Sequence, residues 1–279
     1  MSTAASKTAP VVTRIDTSSL RGKRKRCCPD GPENCGCKTC TACQQFAAAI
    51  AIGKGKTGYV QAMEKAAVLG HAGAACNVGA AYHHGTGVPQ VGSLAHTWFA
   101  RAVELGSAAA AHNLAHCYRM GECGLDVDKS EAARLYQLAV DRGHAEACQN
   151  LGRMLYLGDG IDKDEARAQQ LFQTGVDRGN IGCMGNLSAL LLDKGDIDAA
   201  MPLLERGKAI EDATKGRMDG ASCTATMAQC HEKGIGVKKD LLIAKKLYRD
   251  AFERGQIGED IAKELMERDM LPRYALLFY

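Results

Sequence analysis

The chain is poor in aromatic rings, with one Trp, eight Tyr and five Phe among 279 residues. That is thin for a protein that stacks nucleobases along a groove. Long apolar runs are also missing. The longest, Phe46 to Ile52, has seven residues and is mostly alanine, whereas a membrane-crossing helix needs about twenty. No membrane insertion is expected. The opening residues lack the apolar core of a secretory leader, so the thirteen cysteines are expected to be reduced rather than paired. Six prolines against 31 glycines favour helices separated by glycine turns over a proline-rich linker. With 46% hydrophobic and 24% charged residues, most of the chain has the composition of a folded protein.

The charge is unevenly placed. Residues 1–43 hold eight Lys/Arg and three acids, and the remaining chain holds 27 basic and 29 acidic residues. A near-neutral body therefore carries a basic tail. Residues 1–26 are rich in Ser, Thr, Ala and Val without a helical apolar period and are expected to be disordered. Within them, Arg21-Gly22-Lys23-Arg24-Lys25-Arg26 is a basic cluster of the kind that binds an import receptor, RNA or an acidic surface, or merely a solvated tail. A cytoplasmic chain is expected, with this cluster as a route to the nucleus. Nucleic-acid binding is expected only through this tail.

The body is organised by a repeat of about 36 residues. Similar segments close at Gly70, Gly106, Gly143 and Gly179, at intervals of 36, 37 and 36. Seven residues after each stands an asparagine: Asn77, Asn113, Asn150 and Asn186. Eight residues beyond the first three asparagines comes another glycine: Gly85, Gly121 and Gly158. Each unit reads as two helices. The first carries Val78-Gly79…Tyr82, Leu114-Ala115…Tyr118 or Leu151-Gly152…Tyr156, an apolar stripe with a small residue that admits a neighbouring helix closely. A glycine turn follows, as in Gly85-Thr86-Gly87-Val88, Gly158-Asp159-Gly160-Ile161 and Gly234-Ile235-Gly236-Val237. The second helix carries an apolar-aromatic pair such as Trp98-Phe99, Leu135-Tyr136 or Leu247-Tyr248.

These residues resemble the Sel-1-like repeats, relatives of the tetratricopeptide repeat, over roughly residues 44–256. The resemblance implies an all-α fold, a right-handed α-solenoid of stacked helix pairs. Two departures are expected. The unit after Asn186 lacks the Gly-x-Gly turn and is followed by an insertion around Lys208–Gly220; the first unit is shortened at Gly53-Lys54-Gly55-Lys56. Residues Ile257 to Met270 are expected to form a helix that shields the last core face. The reading divides the chain into a basic tail (1–26), a cysteine-rich segment (27–43), the solenoid with its capping helix (44–270) and a C-terminal tail (271–279).

The resemblance also implies a protein that holds other proteins together, on a concave face lined by the first helices. By helical position the candidates there are Asn77, His112, Asn113, His116, Gln149, Asn150, Arg153 and Asn186. A ladder of amides can hydrogen-bond the main chain of an extended peptide, or it can bridge adjacent helices within the array. His112, His116 and Arg153 break the repeat consensus and are the better candidates for specificity.

Six cysteines crowd together: Cys27, Cys28, Cys35, Cys37, Cys40 and Cys43. Four thiolates at such spacings can enclose one tetrahedral zinc ion and cap the open end of the solenoid. The same cluster can carry several soft ions, which would make the chain a metal-handling or redox assembly factor; disulfides are the third outcome. Cys40 and Cys43 are placed on the opening turn of the first repeat helix. The other seven cysteines, at 76, 117, 123, 148, 183, 223 and 230, are expected to be mostly small core residues. The resemblance includes secreted cysteine-rich relatives with a disulfide ladder, but the second helices here end without cysteine.

Several weaker motifs are set aside. Gly53-Lys54-Gly55-Lys56-Thr57 has the end of a phosphate-binding loop without its first glycine, and a helix rather than a strand precedes it. Asn186-Leu187-Ser188 is a formal glycosylation acceptor inside a repeat helix. His83-His84 could ligate a metal, although neighbours on a helix point apart. No Ser-x-x-Lys occurs, so the β-lactamase route has no nucleophile motif. No nucleophile–base pair emerges anywhere; neither an enzyme nor an organic cofactor is expected.

Overall fold

A computed structural model describes residues 40–214, 223–255, 257, 259–268 and 270. The basic tail, Cys27, Cys28, Cys35, Cys37 and the C-terminal tail lie outside the described residues. The described chain forms thirteen helices and no strand. Six antiparallel pairs succeed one another: α1 (Thr41–Ile52) with α2 (Tyr59–Val68), α3 (Ala72–His84) with α4 (Gly92–Glu104), and α5 (Ala108–Met120) with α6 (Lys129–Asp141). Then come α7 (Ala145–Leu157) with α8 (Glu165–Asp177), α9 (Ile181–Asp193) with α10 (Ile197–Thr214), and α11 (Cys223–Lys233) with α12 (Leu241–Glu253). The last helix, α13 (Glu259–Glu267), adds Ala262 and Leu265 to the hydrophobic core, together with Ile257 and Met270 beside it.

Several helices start where a side chain satisfies orphan N–H groups, whereas α2, α4 and α7 have no side-chain cap. Ser107 Oγ accepts from Ala110 N at 3.1 Å, Asn180 Oδ1 from Cys183 N at 2.8 Å, and Asp128 and Asp164 do the same for α6 and α8. His71 uses Nδ1 in that role, at 3.1 Å from Ala74 N, while its ring stacks on Phe46. The first helices α3, α5 and α7 end at Gly85, Gly121 and Gly158, all with φ near +70°, the left-handed region that only glycine enters without strain.

The small residue of each first helix sets the pair distance. A Cβ on Gly79 would stand 2.6 Å from Phe99 Cδ1, and one on Gly152 would stand 2.5 Å from Phe172 Cε1. The aromatic of the second helix therefore lies flat on bare backbone. Successive pairs are then tied by arginines at the ends of second helices. Arg142 Nη1 donates to Val103 O at 2.9 Å, and Arg178 Nη1 donates to Val140 O at 2.9 Å. Each guanidinium satisfies a terminal carbonyl of the preceding second helix.

The fifth pair departs from the pattern as its sequence foretells. The Gly-x-Gly turn is replaced by Lys194-Gly195-Asp196, and α10 runs on to Thr214, 18 residues in all, so part of the insertion is absorbed as extra helix. Glu211 on that extension is buried. Its carboxylate accepts from Cys223 N at 2.9 Å, Thr224 N at 3.1 Å and Thr224 Oγ1 at 2.5 Å. It caps α11 from outside, placing negative charge where a helix N-terminus favours it.

First helices of successive pairs also touch one another, α3 on α5, α7 on α9 and α9 on α11. Among the described residues no second helix meets the next second helix as closely. The array therefore bends toward its first helices, which line the inner face.

Candidate binding face and a histidine–cysteine cluster

The inner face presents the solvent-side stripe of α3, α5, α7 and α9. The eight residues expected there divide into three groups. Asn113, Asn150 and Gln149 serve contacts between repeats. Asn113 Nδ2 approaches Cys76 Sγ at 3.7 Å, Asn150 Nδ2 donates to His112 Nε2 at 2.9 Å, and the Gln149 carboxamide lies over the bare backbone of Gly182, where a side chain would collide. Asn113 and Asn150 follow one rule: each reaches the residue before the asparagine of the preceding repeat.

His112 is the centre of this network. Its Nε2 accepts from Asn150 and its Nδ1 faces Asn113 Oδ1 at 3.3 Å, so the proton sits on Nδ1. The ring stacks on His144 with centroids 4.6 Å apart and leans on Tyr136 at 5.6 Å. Burial first, then the nearby His144, His116 and Arg119, pull its pKa from 6.5 to about 4 against the opposing hydrogen bond that it donates to Asn113. It is a neutral, structural imidazole at physiological pH.

Asn77, His116, Arg153 and Asn186 make up the rest. Asn77 and His116 are half-buried, Arg153 is exposed, and the Nδ2 of Asn186 is buried with no hydrogen-bond partner. Beneath Arg153 lies the fully buried Tyr136. Burial raises its phenol pKa, and Arg119, by hydrogen bonding and charge, and then the charge of Arg153 partly oppose that shift, so both guanidiniums lie near this ring. The outer side offers a cleft of about 650 Å³ between α6 and α8. Its arginines are already engaged, Arg134 by Glu131 and Arg167 by Gln137.

Of the six clustered cysteines only two are described. Cys40 caps α1, its Sγ accepting from Cys43 N at 3.3 Å, and Cys43 is buried in the opening turn. The array's first helix therefore begins at Thr41, inside the cysteine-rich segment. Among the scattered cysteines, five are buried free thiols. Burial raises the pKa of Cys148, Cys183, Cys223 and Cys230, which keeps them protonated and unreactive. The other two differ from the expectation of reduced thiols: Cys117 and Cys123 are joined as a disulfide, within one repeat rather than between its helices.

Around that pair stand groups that sequence reasoning left separate. His83 Nε2 lies 3.1 Å from Glu122 Oε2, and His116 Nδ1 lies 3.4 Å from the same oxygen. His83 and His84, expected to point apart, hold their ring centroids 4.5 Å from each other. The missed signal was in the turn. Where the turns after α3, α7 and α11 read Gly-x-Gly, this one reads Gly121-Glu122-Cys123. Cys123 is the one non-glycine residue with positive φ among those described, at 58°.

The sequence profile of the Sel1 repeat matches residues 72–107, 108–144, 145–180 and 224–256, together just over half the chain. The chain belongs to the Sel1 repeat family. Its four profile-matched units coincide with the pairs α3–α4, α5–α6, α7–α8 and α11–α12. Among solved structures, the Sel1 array is similar to the Sel1 repeat protein from Oxalobacter formigenes. They share 22% identity over 76% of this chain and 83% of that one, with a TM-score of 0.62. It is also similar to c5321, a protective antigen present in uropathogenic Escherichia coli strains and displaying an SLR fold. There the identity is 24% over 77% of this chain and 46% of that one, with a TM-score of 0.62. These likenesses establish the solenoid fold. The Sel1 chain matches no curated protein sequence. No described helix is long and apolar enough to cross a membrane. Sel1 arrays are in general protein-interaction modules, and the fold is typically a non-enzymatic scaffold.

Proposed function

We propose that this Sel1 array is an adaptor that holds an extended segment of a partner protein along its inner face. The observation that carries the reading is the set of polar groups left over there after the array's own bonds are made. Arg153 is exposed on α7, and the Asn186 amide on α9 is buried with an unused donor. A buried donor without an acceptor costs about 1–3 kcal/mol, and a peptide carbonyl seated on α9 would relieve it. The Arg119 and Arg153 guanidiniums suit a carboxylate on the same segment, and Asn77 and His116 extend the polar track toward α3. Asn113, Gln149 and Asn150 hold the repeats in register beneath it.

A zinc-stabilised cap built from Cys27, Cys28, Cys35, Cys37, Cys40 and Cys43 fits this reading, because it would close the exposed end of α1 and α2. Cys40 and Cys43 share the first turn of α1, as a cap of that kind requires. The metal-handling alternative uses the same cysteines and predicts that the ion exchanges freely with chelators, whereas a structural ion leaves only when the fold opens.

The test is a double charge reversal, Arg153→Glu with His116→Glu, assayed for association with a co-purifying partner at equal helicity. The proposal expects affinity to fall by at least about a hundredfold, roughly 3 kcal/mol. Unchanged affinity for every partner, with circular dichroism also unchanged, would remove the inner face from the account.

A further inference from the structure

Cys117 lies in the last turn of α5, Cys123 sits in the turn that follows, and His83 lies in the last turn of α3 in the preceding repeat. Their ligand atoms all lie within 4.8 Å of one another. Both sulfurs are buried and the His83 side chain is only 21% exposed. Glu122 Oε2 receives both His83 and His116 at the edge of this cluster.

Three features show that the seat is built rather than accidental. Cys123 occupies the slot that Gly87, Gly160 and Gly236 fill in other repeats, and it keeps the left-handed backbone, with φ at 58° against 76°, 76° and 67°. A side chain is thus retained where the fold prefers none. Residue 92 is glycine, and a Cβ there would stand 2.7 Å from the carbonyl carbon of Cys123, so the turn is seated against the start of α4. The cluster also spans two repeats, because His83 comes from one helix pair and both cysteines from the next.

We propose that the reduced chain binds one zinc ion through Cys117 Sγ, Cys123 Sγ and a ring nitrogen of His83, with the fourth position held by Glu122 or water. Two thiolates and an imidazole are a donor set that zinc favours. Binding releases the two thiol protons to solvent. The disulfide and the ion exclude each other. A thiol reductant must first supply two electrons and two protons to cleave the S–S bond, being itself oxidised to its disulfide. The freed sulfurs then separate to about 3.8 Å, the spacing of two tetrahedral ligands with Zn–S bonds of about 2.3 Å. The disulfide ties Cys123 only to its own repeat. The ion ties the end of α3 to the α5–α6 turn, so the reduced, loaded form joins two repeats.

The test uses the full chain with Cys27, Cys28, Cys35, Cys37 and Cys40 changed to Ser and Cys43 to Ala, which removes the N-terminal cluster. The protein is reduced with a phosphine, kept anaerobic and titrated with cobalt(II), then with zinc. The expected result is one cobalt per chain in a tetrahedral spectrum with thiolate charge-transfer bands, displaced by zinc. Cys123→Gly, which installs the glycine of the sister repeats and so preserves the turn, abolishes the bands. His83→Ala weakens binding by more than about tenfold. A reduced, fully helical chain without those bands would overturn the proposal. So would bands that survive Cys123→Gly, or a disulfide that persists in the reductant.

Discussion

Lowering the pH should loosen this array at one identifiable residue. His112 holds its pKa at about 4 in the folded chain against 6.5 when exposed. Because the folded value is the lower one, the unfolded chain binds the extra proton between these limits, and stability falls as pH drops from about 7 toward 4. Integrating the linkage for that single group gives a loss of about 2 kcal/mol between pH 7.5 and pH 5. His112→Gln keeps a planar polar side chain toward Asn150 and Asn113 but cannot titrate. Urea unfolding followed at 222 nm, wild type against variant at both pH values, isolates the contribution from all other titrating groups. The expected difference of differences is about 2 kcal/mol, with the variant less stable at pH 7.5 and less sensitive to acid. A wild type and variant that lose stability in parallel would refute the neutral, buried imidazole. So would a ring proton titration near 6.5 in the folded state.

Two further substitutions probe the packing. Gly152→Ala gains about 1 kcal/mol of helix propensity but drives a methyl into Phe172, 2.5 Å away, at a cost of about 1–3 kcal/mol. The urea midpoint should therefore fall, and adding Phe172→Leu should recover part of the loss; a midpoint that rises contradicts the close packing. Glu211→Ala removes the acceptor of three buried donors at the start of α11. It should cost about 3 kcal/mol and speed hydrogen exchange at Cys223 and Thr224, whereas unaltered exchange there would deny the cap.

The period was legible because it rests on backbone demands. Glycines at 85, 121 and 158 mark left-handed turns, and Gly79 and Gly152 are required by aromatic rings lying on bare backbone. A glycine turn and a small residue recur in the regular units, so they survive in a single sequence. Of the bonds that join one repeat to the next, the arginine ties recur at Arg142 and Arg178, but the partners on the inner face do not. The asparagine ladder meets Cys76 in one place and His112 in another, so its architectural use is visible only once the helices are stacked. The long α10 and the Glu211 cap arise from an irregular unit without a sister to compare. Cys123 is the instructive miss. Its position in a glycine slot was readable from the turn alignment, but its neighbours His83 and Cys117 come from elements that only the fold brings together.

The most direct test of the central claim places a photo-crosslinking residue on each side of the solenoid. Benzoylphenylalanine at position 153 probes the inner face, and the same residue at exposed position 173 on α8 probes the outer face. The account predicts that irradiation of the assembled protein joins its partner to position 153 and leaves position 173 unmodified. A partner captured at 173 and not at 153 would mean that the array works from its outer surface, and the adaptor groove described here would be wrong.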